Sequence, residues 1–209
     1  MIWLHVVFIL SALRLWMIRP DHQPTKKKRS TPCSTCIILG SGGHTAEMEQ
    51  LIQSLEEEKY QPRTYVYAAT DQLSKGRIQQ LEQRCFPQSM AKTTYYDIPR
   101  VREVGQSLQS VPRTFLLALV ACFKVLLKCM PDTIICNGPG SCIPLCMLSY
   151  IPRFLGIKHI TLVYVESCAR VHSLSLTGRL LYGWVDLFFV QWPDLTKKYP
   201  KAQYHGILA

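Results

Sequence analysis

Short apolar runs alternate with helical patterns along most of the chain. Between the apolar runs, Met48, Leu51, Ile52 and Leu55 recur at helical spacing, and residues 72–84 and 112–129 also follow helical patterns. The apolar runs are rich in β-branched and aromatic residues, which favour strands. These predicted strands cover residues 35–39, 63–69, 94–99, 132–136, 159–165 and 187–190.

The spacing of the predicted strands indicates a parallel sheet. Successive strands lie roughly 25–35 residues apart with helices between them, which is typical of crossover connections. The runs are continuously apolar instead of alternating, as expected for strands that are covered on both faces. The pattern therefore predicts an α/β fold, a Rossmann-like doubly wound parallel sheet, over residues 33–209.

The first residues predict a membrane anchor. Residues 2–18 are mainly apolar and carry one charge, Arg14; at about 1.5 Å per residue they reach about 26 Å, near the lower limit for a bilayer. A cleaved signal peptide is the alternative, but the chain lacks a basic segment before the apolar run and a cleavage site of small residues. We expect a transmembrane helix over residues 1–19, followed by a basic cytosolic linker over residues 20–32.

Charge and cysteine content agree with a domain at a cytosolic membrane surface. The formal net charge is +10, and its densest run, at 26–29, directly follows the apolar segment. This placement favours anionic lipid over nucleic acid, because no basic stripe with interspersed aromatic residues follows. Nine cysteines, several inside apolar runs, indicate buried free thiols in a reducing compartment. Cys33 and Cys36 have no second pair at zinc-finger spacing, so no metal site is predicted.

Glycines and polar residues follow the predicted strands. In a doubly wound sheet, ligands bind beyond the carboxyl ends of the strands, so these residues form the candidate site. Residues 40–44 follow the first strand, Asp71 the second, 137–140 the fourth, and Glu166 with Ser167 the fifth. For Asp71, substrate contact and helix capping are both open.

The first of these loops predicts an anion site. A strand, a glycine turn and a helix N-terminus bring free backbone N–H groups together, and the helix dipole adds partial positive charge. The dinucleotide fingerprint is only partly matched: Gly40 and Gly42 fit, but Thr45 takes the third glycine position. No phosphate-binding loop of the GxxxxGK[ST] type occurs. A tight turn without a ligand is the alternative.

Four motifs together resemble a known family. In order, they are "GSGGHTAEM", "CNGPGSCIP", "VYVES" and "VQWP". Their order resembles the membrane-anchored subunits of the two-chain UDP-N-acetylglucosamine transferase of dolichol-linked oligosaccharide synthesis. The resemblance implies the N-terminal, acceptor-binding half of a GT-B glycosyltransferase. It also implies a soluble catalytic subunit that carries UDP-GlcNAc and a dolichyl-diphosphate-GlcNAc acceptor at the cytosolic face of the endoplasmic reticulum membrane. With 209 residues we expect half of such an enzyme, inactive alone.

The resemblance also assigns roles to residues and implies no cofactor. His44 and Glu166 are the candidate catalytic bases, because the acceptor hydroxyl must lose a proton. A capping role for His44 is the alternative. The loop Asn137, Gly138 and Gly140 is expected to face the acceptor sugar. The tail at Tyr204, His205 and Leu208 is the expected docking site for the partner subunit. The predicted diphosphate-binding residues are Gly40, Ser41, Gly42, Gly43, His44 and Thr45.

Two other functions stay open from the sequence. A pure membrane scaffold without substrate contacts predicts that changes at Gly42 or His44 leave transfer intact. A tethered nucleotide-dependent enzyme that acts alone predicts that this chain binds NAD(P) or UDP-GlcNAc by itself. The incomplete dinucleotide fingerprint argues against the second.

Overall fold

A computed structural model describes residues 2–20, 29–102 and 105–209, and they form a seven-stranded sheet with helices on both faces. All strand pairs are parallel, in the order β3-β2-β1-β4-β5-β6-β7. The predicted Rossmann-like parallel sheet and its six strands are confirmed; the two-residue β7 was not predicted. The strands are β1 (Thr35–Ile38), β2 (Arg63–Ala68), β3 (Thr94–Ile98), β4 (Thr133–Cys136), β5 (Thr161–Val165), β6 (Leu187–Val190) and β7 (Gln203–Tyr204).

Helices join most of these strands and cover the sheet. Helix α5 is preceded by the glycine-rich loop after β4, and α2 by the glycine loop after β1. Two short 3₁₀ turns, Met90–Lys92 and Leu108–Ser110, complete the connections. The α-helices are α1 (Ile2–Met17), α2 (Gly43–Gln53), α3 (Gln72–Cys85), α4 (Val111–Cys129), α5 (Cys142–Phe154), α6 (Leu176–Leu181) and α7 (Pro193–Lys198).

The central strand β1 supplies both halves of the core. Its side chains alternate between the two faces, as the period of a strand requires. Cys36 and Ile38 belong to the buried cluster that includes residues of α4 and α5. Ile37 belongs to a second buried cluster with Met48 of α2 and Ile78 of α3. Because both faces are covered, β1 is apolar at successive positions.

The strand order reverses next to β1, and this reversal places the candidate site. β1 pairs with β2 on one side and with β4 on the other. The chain therefore leaves the carboxyl ends of β1 and β4 in opposite directions, which opens a crevice between the two loops. The first glycine loop and the loop at 137–140 lie on either side of that crevice.

Helix α1 has 16 residues, and most of its apolar side chains are exposed. Within the described ranges, no helix combines the length and apolar character needed to cross a bilayer. The transmembrane span predicted for residues 1–19 is thus not confirmed. Most of the predicted linker, residues 21–28, lies outside the described residues.

Asp132 ties the amino end of β4 to the start of β1. Its Oδ2 accepts hydrogen bonds from the backbone N and the hydroxyl of Ser34, at 3.0 and 2.8 Å. The ammonium of Lys158 lies 3.0 Å from Oδ1, and the guanidinium of Arg29 lies 3.1 Å from Oδ2. Burial alone raises the pKa of Asp132, but these donors outweigh it and hold the pKa well below its usual range.

We expect Asp132→Asn to lower the free energy of unfolding by about 1.5–3 kcal/mol at neutral pH, because charge-assisted hydrogen bonds are lost. The folded-state pKa lies below the unfolded value of about 3.9, so this stabilisation is present above that value and disappears as pH falls through the folded pKa. Urea unfolding from about pH 7 to about pH 3 tests this, since the variant should lose less stability on acidification. Asp97→Asn, at an exposed position, is the matched control. Parallel pH curves for wild type and Asp132→Asn would contradict the prediction.

Candidate functional site

A cavity of about 360 Å³ lies in the crevice and is called the anion pocket here. Two helix N-termini border it: α2 begins after Gly42, α5 begins after Ser141, and neither has a side-chain cap. The uncapped N-terminus of α2 offers N–H groups and partial positive charge to an anion. At α5 the N–H groups of Cys142 and Ile143 donate to the carbonyl oxygens of Pro139 and Gly140, at 3.0 and 3.1 Å, so that helix offers its dipole alone. The polar lining consists of Ser41, His44, Asp71, Arg100, Arg102 and Ser141, with Gly40 and Gly140.

Two arginines of the anion pocket were not predicted as site residues. Arg100 and Arg102 follow β3 and line the pocket from the side opposite the loop at 137–140. Their guanidinium groups suit phosphate oxygens, since arginine presents a fork of N–H donors. Only their position after a strand, at the carboxyl edge of the sheet, could have identified them from the sequence.

The imidazole of His44 is fixed by a hydrogen-bonded chain. Asn137 donates from Nδ2 to the carboxylate of Glu47 at 2.9 Å, which sets the orientation of its amide, because a carboxylate only accepts. The amide oxygen of Asn137 therefore faces Nδ1 of His44, at 2.9 Å. Nδ1 must then carry the hydrogen, and Nε2 keeps its lone pair in the neutral ring.

Glu47 ends this series of hydrogen bonds, and it was not predicted as a site residue. Its Oε1 accepts from the hydroxyl of Ser167 at 2.7 Å and from the backbone N and thiol of Cys168, at 3.1 and 3.0 Å. Burial raises the pKa of Glu47, but these bonds and the one from Asn137 outweigh it, so the pKa is lowered. Glu47 lies three residues after His44 on the same helix face, and this spacing could have identified it from the sequence as a partner of His44.

Two glycines make room for His44. A Cβ atom on Gly40 would lie 2.6 Å from the Cβ of His44. One on Gly138, whose φ is +73°, would overlap Cε1 of the imidazole. By contrast, a Cβ on Gly42, Gly43 or Gly140 would meet no atom within 4 Å. Gly40 and Gly138 thus shape the histidine site, and the other three glycines leave open space beside the backbone.

The side chain of Thr45 does not line the anion pocket. It is buried, donates to the carbonyl oxygen of Gly40 and lies 2.7 Å from the hydroxyl of Ser74. Asp71 caps α3 by accepting from the backbone N of Ser74 at 3.2 Å. These contacts join the first glycine loop to α3. The structure therefore favours a supporting role for Thr45 instead of the predicted contact with phosphate.

The carboxylate of Glu166 does not line the anion pocket. The residue is fully buried, and its oxygens accept from the backbone N of Ser167 at 3.2 Å and of Ser175 at 2.9 Å. Gly178 lies so close that an added Cβ would overlap the carboxylate. This enclosed position favours a structural role over the predicted catalytic one, and Glu47 is the carboxylate linked to His44.

The C-terminal tail lies at the same edge of the sheet as the anion pocket. Gln191 accepts from the backbone N of Leu208 at 3.0 Å and donates to the carbonyl oxygen of Glu166 at 3.0 Å. The ring of His205 packs edge-on against Phe189, with centroids 5.6 Å apart. Tyr204 is 41% exposed on the edge strand β7. Gln191 thus joins the "VQWP" and "VYVES" motifs to the tail.

Among the described residues, no group of three or more histidine, cysteine, aspartate or glutamate side chains could hold a metal ion. All nine cysteines are free. The groups that line the anion pocket include two guanidinium groups, one oriented imidazole, two serine hydroxyls and the carboxylate of Asp71.

The chain resembles solved enzymes in fold. It superposes on MurG of Acinetobacter baumannii with a TM-score of 0.57 at 15% identity, covering 83% of this chain and 45% of that one. It also superposes on the UDP-GlcNAc 2-epimerase of Neisseria meningitidis bound to UDP-GlcNAc, with a TM-score of 0.55 at 12% identity and coverage of 84% and 47%. The chain thus spans less than half the length of these structures, and the likeness shows the fold alone.

Sequence comparison finds much closer relatives. The chain is 40% identical over 203 residues to the mouse UDP-N-acetylglucosamine transferase subunit ALG14, covering 95% of this chain and 92% of the mouse protein. The fission yeast protein of the same name is 38% identical over 209 residues, with coverage of 99% and 98%. The human one is 40% identical over 204 residues, with coverage of 96% and 93%. The family model described as "Oligosaccharide biosynthesis protein Alg14 like" matches residues 35–208. The chain belongs to the Alg14 family.

Proposed function

We propose that this chain is the acceptor-binding subunit of a UDP-N-acetylglucosamine transferase. Relatives that share about 40% of its residues over nearly the whole chain are named as subunits of that enzyme. The reaction is the transfer of the second GlcNAc from UDP-GlcNAc to dolichyl-diphosphate-GlcNAc, on the path to N-glycosylation. The family description, which names oligosaccharide biosynthesis, supports this step.

The anion pocket holds the diphosphate of the acceptor. The uncapped N-terminus of α2 supplies N–H donors, the dipole of α5 adds partial positive charge, and Arg100 and Arg102 supply positive charge from the opposite side. Several positive groups around one cavity suit a ligand with two adjacent phosphates better than a single carboxylate. The open glycines Gly42, Gly43 and Gly140 leave space for phosphate oxygens close to the backbone.

His44 acts as the general base. The acceptor hydroxyl oxygen bonds to the anomeric carbon of UDP-GlcNAc, the bond from that carbon to UDP breaks, and the hydroxyl proton passes to Nε2 of His44. Glu47, ionised through its hydrogen bonds, then stabilises the charged imidazole through Asn137. The observation that carries the proposal is this oriented histidine at the mouth of an anion pocket.

The sugar nucleotide is bound by a separate soluble subunit. The relatives' name calls each of them a subunit, which supports an assembly of at least two chains. We place its docking site at Tyr204, His205 and Leu208, because the tail lies on the exposed edge strand at the carboxyl side of the sheet. Ile207, 67% exposed in the same tail, adds apolar surface for a partner.

Helix α1 attaches the domain to the cytosolic face of the endoplasmic reticulum membrane. Trp3, Leu4 and Phe8 are 82%, 74% and 75% exposed. A helix that is apolar on all sides is stable only when lipid or protein covers it. The nine free cysteines agree with a domain in the reducing cytosol.

His44→Ala tests the proposed reaction. We expect the complex of this chain and its soluble subunit to transfer GlcNAc from UDP-GlcNAc to an isoprenoid-diphosphate-GlcNAc, and neither chain to do so alone. Removing a general base should lower kcat by about 100-fold or more. His172→Ala, at an exposed histidine outside the pocket lining, is the matched control. Radiolabelled product formed at equal amounts of complex is the measurement.

Full activity of His44→Ala would contradict the substrate-binding proposal and favour the scaffold. Transfer by this chain without the soluble subunit would contradict the two-chain arrangement.

Tyr204→Asp tests the docking site. A charge at the edge strand should reduce copurification of the soluble subunit by about tenfold or more, because a buried unpaired charge is costly at an interface. Leu155→Asp, at an exposed residue beyond the end of α5, is the control. Undiminished copurification would place the interface elsewhere.

Phe8→Asp with Leu4→Asp tests attachment through α1. Each aspartate at lipid depth costs about 2.5–3.5 kcal/mol, so flotation with phosphatidylcholine–phosphatidylserine vesicles should fall by about tenfold or more. Leu155→Asp again serves as control. Equal flotation of the double variant would show that another surface binds the membrane.

A further inference from the structure

An apolar groove lies on the face of the sheet that carries α5 and α6. Its volume is about 360 Å³, and Leu15 of α1 closes one side. The groove is separate from the anion pocket, since the two share no lining residue. Its walls include the side chains of Leu15, Ile143, Met147, Tyr150, Leu180 and Trp184.

The lining offers an incoming ligand almost no polar contact. The hydroxyl of Tyr150 already donates to the carbonyl oxygen of Trp184, at 2.5 Å. The thiol of Cys146, also in the lining, lies 3.6 Å from that of Cys136. Met147 and Leu180, each 53% exposed, form apolar rims. The lining therefore favours an apolar ligand such as a hydrocarbon chain.

The wall contributed by α1 is fixed to the domain. Arg14 donates from Nε to the carbonyl oxygen of Phe154, at 3.0 Å, at the end of α5. Arg153 donates to the carbonyl oxygen of Ile18 at 3.3 Å, and the guanidinium of Arg19 lies 5.2 Å from the ring centroid of Trp184. The apolar helix proposed to enter the membrane therefore ends at the groove, with cationic side chains beside it.

Helix α5 connects the groove to the anion pocket. Gly140 and Ser141, directly before α5, line the pocket, and Ile143, in its first turn, lines the groove. The groove then follows α5 to Tyr150, about 10 Å further along the helix axis. A chain attached to a diphosphate in the pocket would thus meet the groove within one helical turn.

We propose that the groove holds the first isoprene units of the acceptor's lipid chain. This assignment rests on the proposed function, because it requires the diphosphate to lie in the anion pocket. A volume of about 360 Å³ suits a narrow hydrocarbon chain. It is too small for a whole partner helix, which is about 10–12 Å across. The groove selects acceptors by the apolar chain next to the diphosphate and draws that chain out of the bilayer beside α1.

Kinetics of Met147→Trp test the groove in the complete two-chain complex. Two acceptors are compared, methyl-diphosphate-GlcNAc, which has no isoprene unit, and geranylgeranyl-diphosphate-GlcNAc. Filling the groove should raise KM for the geranylgeranyl acceptor by about tenfold with kcat unchanged, since burial of the chain is lost. KM for the methyl acceptor should not change. Ile157→Trp, at an exposed apolar residue outside the groove, is the matched control.

Unchanged KM for both acceptors, or an equal rise for both, would overturn the groove while leaving the proposed function intact. Reduced copurification of the soluble subunit by Met147→Trp would assign the groove to a protein and also overturn it. Absence of transfer by the wild-type complex would instead refute the proposed function.

A direct binding experiment is independent of transfer activity. Benzophenone-tagged geranylgeranyl diphosphate should label peptides of α5 and α6 in the wild-type chain and not in Met147→Trp. If phosphatidylcholine suppresses this labelling as strongly as untagged geranylgeranyl diphosphate does, the groove binds bulk lipid and the proposal is wrong. Absence of labelling in the wild-type chain would also overturn the proposal.

Discussion

One buried carboxylate holds the candidate site together. Glu47 lies on α2, yet it accepts hydrogen bonds from Asn137 after β4 and from Ser167 and Cys168 after β5. It thereby joins the loops that follow three neighbouring strands of the sheet. The imidazole of His44 takes its orientation from this carboxylate through one amide, and two of these loops, after β1 and β4, also line the anion pocket. Since a buried charge without partners is costly, these loops must keep their positions for the carboxylate to be satisfied.

The polar and apolar parts of the proposed acceptor find separate places in the fold. Two uncapped helix N-termini and two arginines form the anion pocket at the carboxyl edge. The apolar groove begins within one turn of α5 and ends against α1. Helix α5 thus serves both parts, because its N-terminus is polar and its following turns are apolar. This arrangement fits a substrate whose charged head and hydrocarbon tail are joined directly.

The two carboxylates near the sheet edge show why position along the chain is an incomplete guide. Glu166 follows β5, where ligand-binding residues are expected, but its side chain turns inward to the loop before α6. Glu47 lies inside a helix and reaches the site through its neighbours on α2 and in two loops. The direction of a side chain after a strand depends on how the following loop folds, and a local pattern does not contain that direction.

The sequence by itself determined the sheet and the order of its loops, because these depend on local periodicity and on glycine at turns, and it predicted an anion site at the first glycine loop. It also indicated His44, which lies within the strand–glycine–helix pattern. The tertiary structure decided that Arg100 and Arg102 line the anion pocket, that Gly138 makes room for an imidazole, and that α1 closes a groove. These features join residues that are about 40 to 170 positions apart, as the reversed strand order next to β1 requires. Their partners are chosen by packing across the sheet, and packing is not encoded in any single stretch of the chain.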